Sequence, residues 1–418
     1  MSSLPYIPRR ADQMVSEALR DTRVVTVNGA RQVGKSTLVK AVLRSHPNSR
    51  MRRLDDATER QAALSDPTRF VRHAGLLAID EVQRVPELVL SIKAEVDQDP
   101  RPGRFLLTGS ARLLGLRTLP DALIGRMETI ELWPFSQGEI DRRNEQFIDN
   151  VFDDIWALAI PDDLQIGTET RDGYIGRCLR GGFPEALQRT NGRRAKFFDA
   201  YVDDLIDRDV TQLAEIERRG ELRRLLRLLA GSMAQPLKVE RVASEVGLAA
   251  TTAERYISLL EEVFLIKRLD GWTSSATGRA VGLRKILFVD SGLAANLCGL
   301  TEARLRRTDS LVGPLMENFV IGEIARQLTW AETRARLFHY RTKEHVEVDA
   351  VLEAADGRIV GIEVKSAETV HRNDFAGLRH LQSRLGDRFH MGLVLHAGTT
   401  VGSFGNRLFA APIDLLWQ

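Results

Sequence analysis

Residues 24–43 have the sequence VVTVNGARQVGKSTLVKAVL, and this stretch decides the fold of the N-terminal part of the chain. The mostly apolar residues 24–28 predict a buried strand, and residues 37–43 predict a helix. The glycine-rich turn between them matches the pattern G-x-x-x-x-G-K-[S/T] at every position. A strand before this pattern and a helix after it are the setting in which it forms a phosphate-binding loop.

The residue types in this turn are those that hold phosphate groups. Glycines let backbone N–H groups wrap a phosphate, and the start of the helix adds a partial positive charge. We expect Lys35 to neutralise the β- and γ-phosphates of ATP and Ser36 to bind Mg²⁺. The residues expected to contact the nucleotide are Gly29, Ala30, Arg31, Gln32, Val33, Gly34, Lys35, Ser36 and Thr37.

Acidic residues follow a second apolar segment, LLAIDE at 76–81. A strand here would deliver Asp80 beside the phosphate loop, where it could bind Mg²⁺ through water, and Glu81 could orient the attacking water. Two solvated surface acids are the alternative interpretation. The segment 105–109 predicts a third strand, and we expect Ser110, or else Thr108, to sense the γ-phosphate.

Strands that alternate with helical segments predict an α/β fold with a parallel sheet and helices on both faces. A fourth strand is predicted at 127–132. The predicted domains are a P-loop ATPase core at 1–139, a helical segment at 140–219, a winged helix at 220–285 and an α/β domain at 286–418.

ATP hydrolysis of this kind often needs an arginine from a neighbouring subunit. Arg126 is the candidate for this role, and Arg112 is a second one. Only nine of the 59 basic residues are lysines, so arginines are abundant throughout the chain. GC-rich codon usage accounts for such a bias as readily as selection for phosphate contacts does.

The composition is that of a soluble globular protein with 43% hydrophobic residues, which excludes disorder over most of its 418 residues. The net charge of +2 does not demand a polyanionic partner. No apolar run reaches the ~18 residues that suggest a membrane span. The two cysteines, Cys178 and Cys298, cannot form a disulfide framework. We therefore expect a cytoplasmic protein.

The segment 221–270 predicts three helices followed by a hairpin, which is the pattern of a winged helix. Its third helix would present Thr252, Arg255 and Ser258 outward, and a basic wing would follow it. Such a module could contact DNA, or it could only join the ATPase to the C-terminal domain. The expected DNA contacts are Thr252, Arg255, Arg279 and Arg284, and Lys285 lies in the same basic wing.

The C-terminal part contains Asp349 and, after thirteen intervening residues, Glu363-x-Lys365. This is the pattern of the PD-(D/E)xK nucleases, although Val348 replaces the proline. Asp349 and Glu363 could hold Mg²⁺ or Mn²⁺ to activate water, and Lys365 could orient that water. Glu317 lies on the apolar face of a predicted helix and could be an outer partner. A charged strand face, or this fold without catalysis, are the alternatives.

Together these landmarks resemble the AAA-type P-loop ATPases that carry a C-terminal domain of unknown function, DUF4143. The resemblance implies an ATPase core, a winged helix and a restriction-endonuclease-like C-terminal fold. It also implies a homo-oligomer such as a hexameric ring, in which Arg126 could act. The matching segments are 29–36, 79–83, 107–110, 181–185, 207–210, 288–293, 317–320 and 362–365.

Two functional hypotheses from different classes follow. The first is an ATP-dependent DNA-processing enzyme that binds, and could cleave, branched or recombination and repair intermediates. Resolvases of four-way junctions share the nuclease fold and a helix-borne glutamate, which favours such substrates. The second is an ATP-switched oligomeric regulator in which an inert nuclease fold serves as a scaffold.

Overall fold

A computed structural model describes residues 6–109, 123–154, 167–210, 218–274, 283–307 and 309–418. The chain divides into two units. The first comprises Met1–Phe135 with Glu262–Leu265, and the second comprises Ser136–Glu261 with Ile266–Gln418. No helix within the described ranges combines the length and the hydropathy needed to cross a membrane.

The sheet of the first unit has five parallel strands in the order β2-β3-β4-β1-β5. The strands are β1 (Val24–Asn28), β2 (Arg50–Arg53), β3 (Leu77–Asp80), β4 (Phe105–Gly109) and β5 (Met127–Glu131). Strands β1, β3 and β4 are buried along their whole length, as parallel strands covered on both faces require. The predicted parallel α/β core is therefore confirmed.

Five helices of the first unit lie in the described ranges. They are α1 (Arg10–Asp21), α2 (Lys35–Leu43), α3 (Ala57–Ser65), α4 (Pro67–Val71) and α5 (Leu88–Gln98). Apolar residues of α5, such as Val89 and Ile92, join the core with Ile79 and Leu107 of the sheet. The neighbouring strands β3, β4 and β1 end at the same edge of the sheet, and this edge carries the phosphate loop.

The second unit begins with helices and continues with an antiparallel strand pair. The helices are α6 (Gln137–Asp141), α7 (Phe147–Val151), α8 (Arg171–Arg180), α9 (Pro184–Leu187), α10 (Asn191–Asp204), α11 (Arg219–Gly231), α12 (Val239–Val246) and α13 (Ala250–Glu262). The strands β6 (Ile266–Leu269) and β7 (Lys285–Phe288) pair with each other. Residues 234–237 run beside β7, because the N–H of Leu237 donates to the carbonyl of Arg284 at 2.7 Å.

A six-stranded mixed sheet forms the C-terminal part, in the order β12-β13-β11-β10-β9-β8. Its strands are β8 (Ala335–Arg341), β9 (Glu347–Ala354), β10 (Ile359–Lys365), β11 (Phe389–His396), β12 (Gly402–Gly405) and β13 (Leu408–Pro412). The accompanying helices are α14 (Ser291–Leu297), α15 (Glu302–Arg307), α16 (Val312–Gln327) and α17 (Ala376–Leu385). The α/β domain predicted for this region is thus present.

Strands β9 and β10 are antiparallel neighbours, and Ile362 pairs with Ala350. This register brings Asp349 and Glu363 next to each other. Helix α16 packs against β10 and supplies Glu317. The sheet therefore gathers the acidic residues that the sequence singled out.

Candidate nucleotide site and a buried acidic cluster

The phosphate loop depends on a close approach of two backbone segments. The N–H of Leu132 donates to the carbonyl of Asn28 at 2.7 Å. A Cβ atom on Gly29 would lie 2.2 Å from the carbonyl oxygen of Leu132, so only glycine fits there. Gly34 has φ 105°, a conformation that glycine adopts readily, and α2 begins at the next residue.

Lys35 is 5% exposed and its ammonium lies inside the loop. It donates to the carbonyls of Gly29 and Ala30, at 2.9 Å each. A cation held by loop carbonyls is in position to share its hydrogen bonds with a bound phosphate. The placement agrees with the role expected of Lys35.

Ser36 and Asp80 meet at the ends of α2 and β3. The Ser36 hydroxyl lies 2.8 Å and 3.1 Å from the two carboxylate oxygens of Asp80. Thr108, the last residue but one of β4, donates its own hydroxyl to Asp80. One hydroxyl and one carboxylate are oxygen ligands of the kind that Mg²⁺ prefers, so these residues fit that ion.

Glu81 follows Asp80 in the left-handed conformation, at φ 59° and ψ 48°. Non-glycine residues in this conformation carry strain of roughly 1–3 kcal/mol and cluster at functional sites. The N–H of Glu81 donates to the Thr108 hydroxyl at 3.0 Å, and the Gln83 amide donates to the Glu81 carboxylate. Thr108 therefore holds Asp80 and Glu81 in position, and Gln83 holds the Glu81 carboxylate.

Three further residues bear on the predicted nucleotide site. Arg9, which the sequence did not suggest, is buried and donates to the carbonyl of Val33 in the loop at 3.3 Å. Arg126 pairs with Asp97 of its own chain, at 2.6 Å between Nε and Oδ1. Ser110, the preferred sensor residue, lies outside the described residues, as does Arg112.

The predicted nuclease-like residues do come together in the second unit. The N–H of Val364 donates to Oδ2 of Asp349 at 2.8 Å. Lys365 donates to Oε1 of Glu363 at 2.9 Å. The other oxygen of Glu363 is buried and accepts no hydrogen bond within the described ranges.

Lys285, which the sequence assigns to the basic wing, lies among these acidic residues. The sequence predicts Lys285 in a basic wing that could contact DNA, but its side chain is 1% exposed. Its Nζ lies 2.7 Å from Glu317 and 2.7 Å from Glu347, and 3.8 Å from Asp349. The placement of Lys285 in a DNA-contacting wing is wrong because β7 is buried at all four positions.

The ammonium of Lys285 stabilises charge that burial alone would suppress. Burial lowers the pKa of Lys285, but the carboxylates of Glu317, Asp349 and Glu347 outweigh it and raise this pKa above its ordinary value. Burial raises the pKa of Glu363 to about 8, and the nearby Asp349 adds to that shift. Burial also raises the pKa values of Glu317 and Asp349, while Lys285 acts in the opposite direction.

We call Lys285, Glu317, Glu347, Asp349, Glu363 and Lys365 the lysine–carboxylate cluster. In the part of the chain that the structure describes, no group of three or more His, Cys, Asp or Glu side chains could hold a metal ion. The cation among these carboxylates is an ammonium of the chain itself.

The residues expected to contact DNA are spread over the three-helix segment and its strand pair. Arg255 on α13 is exposed, with its guanidinium 5.6 Å from the ring centroid of Tyr256. Thr252 lies one turn before it and is half-buried. Arg284 pairs with Asp270 at 2.8 Å, and Arg279 lies outside the described residues.

Three family models match separate regions of the chain. Residues 21–141 match the family model of an AAA domain. Residues 312–416 match the domain of unknown function DUF4143, and residues 171–304 match the domain of unknown function DUF8612. With its parallel sheet and the loop at 29–36, the AAA-matched region resembles the P-loop ATPase domains of the AAA type. The resemblance seen in the sequence is confirmed for the AAA and DUF4143 regions.

Among curated proteins, the chain is similar to the uncharacterized protein Rv2008c of Mycobacterium tuberculosis and the uncharacterized protein Mb2031c of Mycobacterium bovis. Each is 29% identical over 367 residues, which cover 86% of this chain and 74% of the relative.

Among solved structures, the chain is similar to the Walker-type ATPase PABY2304 of Pyrococcus abyssi. That match has 15% identity and a TM-score of 0.41, and covers 70% of this chain and 96% of the other. The match to a RuvB mutant of Thermotoga maritima has 18% identity and a TM-score of 0.30, and covers 63% of this chain and 90% of the other.

Proposed function

We propose that the chain is an ATP-hydrolysing switch that engages nucleic acid without cutting it. The convergence of Lys35, Ser36, Asp80 and Glu81 at one sheet edge carries the ATPase part of this proposal. ATP would lie along the loop 29–37, with its terminal phosphates against the ammonium of Lys35. Ser36 and Asp80 would hold Mg²⁺, which when bound neutralises developing phosphate charge.

The chain's own residues would position the attacking water. In this proposal, Glu81 accepts a hydrogen bond from the water and so aims its oxygen at the γ-phosphorus. Thr108 keeps Glu81 in place because its hydroxyl accepts the N–H of Glu81 while it donates to Asp80. Fixed groups of this kind need no reorganisation during the reaction.

Measurement of phosphate release from Mg·ATP tests the ATPase part directly. We expect turnover by the wild type and none by Lys35→Ala. Lys40→Ala is the matched control, because Lys40 is an exposed lysine one turn further along α2. Equal turnover by all three proteins would overturn the assignment of the loop.

The lysine–carboxylate cluster supports a scaffold rather than a nuclease. A metal-dependent nuclease needs carboxylates free to bind a divalent cation beside the scissile phosphate. Here Glu317, Glu347 and Asp349 surround the buried ammonium of Lys285. We therefore propose that this part of the chain keeps its sheet and acidic residues as structure.

Metal-dependent DNA cleavage remains the second candidate function. It is favoured by Asp349, Glu363 and Lys365, which lie on adjacent strands in the order that such nucleases use. Incubation with linear, forked and four-way DNA, with Mg²⁺ or Mn²⁺ and with or without ATP, tests it. Cleavage that Asp349→Asn abolishes would establish this candidate and remove the scaffold proposal.

The nucleic-acid part rests on the segment from α11 to β7. Three helices followed by two antiparallel strands have the element order of a winged helix, and Thr252 and Arg255 lie on its third helix. We propose DNA, including branched DNA, as the partner, and a homo-oligomer as the working form. In that oligomer, Arg126 would exchange Asp97 for the γ-phosphate bound to a neighbouring subunit.

A further inference from the structure

A cleft of about 450 Å³ opens in the second unit, next to Glu347 of the lysine–carboxylate cluster, and no residue of α13 lines it. Four stretches of chain line it. One runs into α12 and supplies Lys238 and Arg241, and one follows β6 and supplies Trp272. The others are Leu283, before β7, and the end of β8 with the turn after it. That turn supplies Lys343.

The lining of this cleft is strongly basic. Lys238, Arg241, Arg341 and Lys343 all contribute, and none of the lining residues is an aspartate or a glutamate. Arg241 and Arg341 have acidic neighbours outside the lining, at 3.4 Å from Glu245 and 3.2 Å from Glu347. Neither Lys238 nor Lys343 forms an ion pair with a residue that the structure describes. The cleft therefore carries uncompensated positive charge.

His339 adds a hydrogen-bond acceptor to these donors. The residue is 3% exposed, and Nε2 lies 2.8 Å from the carbonyl of Leu283, so Nε2 carries the proton. Burial lowers the pKa of His339 to about 4, which keeps the ring neutral. Nδ1 is then an acceptor, buried and without a hydrogen-bond partner among the described residues.

The backbone around the cleft is fixed by hydrogen bonds. The N–H of Trp272 donates to the carbonyl of His339 at 2.6 Å, and the N–H of His339 donates to the backbone carbonyl of Asp270 at 3.0 Å. The turn after β8 is closed by a hydrogen bond in which the N–H of Thr342 donates to the carbonyl of Val346 at 2.9 Å. The basic side chains therefore extend from supports that do not depend on a ligand.

We propose that this cleft binds the phosphodiester backbone of a nucleic acid, which locates the partner contact on which the proposed function depends. Four cations suit phosphate groups, and two of them form no ion pair with a described residue. A buried acceptor suits a sugar hydroxyl or a base N–H. The four cationic residues are exposed, whereas His339 and Trp272 are buried. Exposed cations track a polymer that passes over the surface, while a site for a free mononucleotide would enclose its ligand.

Binding of a labelled single-stranded 20-mer and a 20-bp duplex to the full chain, followed by fluorescence anisotropy, tests this proposal. The variant is Lys238→Gln with Lys343→Gln, which removes two charges without reversing them. Arg193→Gln with Lys196→Gln is the matched control, because both residues are exposed on α10 and away from the cleft. The experiment is repeated from 50 to 200 mM salt.

We expect the cleft variant to bind at least about tenfold more weakly than the control at 50 mM salt. For each phosphate contact that is lost, the nucleic acid keeps counterions whose release would have favoured binding. The dependence of log affinity on log salt should flatten by about 1.4 for the single strand, which is the loss of two contacts. ATP hydrolysis without nucleic acid should not change in either variant.

Three outcomes would overturn the proposal in distinguishable ways. If the wild type binds nucleic acid and the cleft variant matches the control, the contact lies elsewhere and only this inference fails. If the wild type binds no nucleic acid, the nucleic-acid part of the proposed function fails with it. If the Lys35→Ala chain binds AMP through Lys238 and Lys343 but no polymer, the cleft is a mononucleotide site.

Discussion

The Nζ atom of Lys285 on β7 lies 2.7 Å from Oε1 of Glu317 on α16, and the lysine is almost completely buried. These residues are separated by 32 positions in the sequence. The contact joins the strand pair β6–β7 to the helix that packs on the C-terminal sheet. An ion pair of this kind is costly to form and more costly to break, because each partner alone would be a buried charge.

Replacement of Lys285 should therefore destabilise the second unit. We expect Lys285→Met to lower the free energy of unfolding by about 3–5 kcal/mol, since three carboxylates lose their cation. Urea unfolding followed by circular dichroism measures this change, with the exposed Lys196→Met as control. If Mn²⁺ stabilises Lys285→Met but neither the wild type nor the control, the ammonium of Lys285 fills a position that a metal could take. A loss of under about 1 kcal/mol, as at surface pairs, would contradict the role of Lys285.

The raised pKa of Glu363 predicts a pH dependence. A carboxyl whose pKa rises from 4.5 when unfolded to about 8 when folded binds more protons in the native state. Its contribution to stability is therefore present at low pH and is lost as pH rises through 8. We expect Glu363→Gln to gain stability relative to the wild type between pH 5 and 9, by a few kcal/mol. Urea unfolding at several pH values measures the difference, and the exposed Glu240→Gln should show none.

Glu81→Gln should separate ATP binding from ATP turnover. The amide keeps the size of the side chain but is a poor acceptor for the water's proton, so we expect turnover to fall by about 10²–10⁴. ATP affinity, measured by calorimetry, should stay within a few fold of the wild type. Glu87→Gln, an exposed glutamate at the start of α5, is the control. Unchanged turnover by Glu81→Gln would remove Glu81 from the mechanism.

Thr108→Val should weaken catalysis through Asp80 and Glu81. Valine keeps the shape of threonine but loses the hydroxyl that contacts both residues. We expect a fall in kcat of about tenfold or more, with a higher Mg²⁺ requirement. Restoration of both by Thr108→Ser would show that the hydroxyl is responsible. A Thr108→Val variant with wild-type kcat and Mg²⁺ dependence would contradict this positioning role.

Arg126 should act between subunits. Neither Lys35→Ala nor Arg126→Ala should hydrolyse ATP well alone, but mixtures of the two should recover part of the activity. Recovery requires an interface that combines an intact loop from one subunit with Arg126 from another. Asp97→Asn should keep turnover, because Asp97 pairs with Arg126 within one chain and has no proposed role in hydrolysis. A monomer by light scattering with ATP bound would exclude this arrangement.

Local motifs were predictable from the sequence, whereas contacts between distant segments were not. The loop 29–36 needs only a strand, a turn and a helix that are consecutive, so its form follows from the sequence. The contact of Thr108 with Asp80 depends on the order of strands in the sheet. Lys285 follows Arg284 in a polar segment, which suggested the surface, and only the packing of α16 and β9 shows that it is buried.

The strand β2 was missed for a related reason. Its residues Arg50, Met51, Arg52 and Arg53 lack the apolar alternation that predicts a strand. Burial, which produces that alternation, is small here because β2 has a neighbour on one side only.

The composition of β2 also affects how the protein behaves at high concentration. An edge strand exposes unpaired N–H and C=O groups that can add a strand from another molecule. Arg50 and Arg53 are exposed on this edge, and a second copy would bring like charges together. The other edge strand, β5, exposes Glu128 in the same way. Charged edges of this kind disfavour aggregation through strand addition, so the sheet can remain open without polymerising.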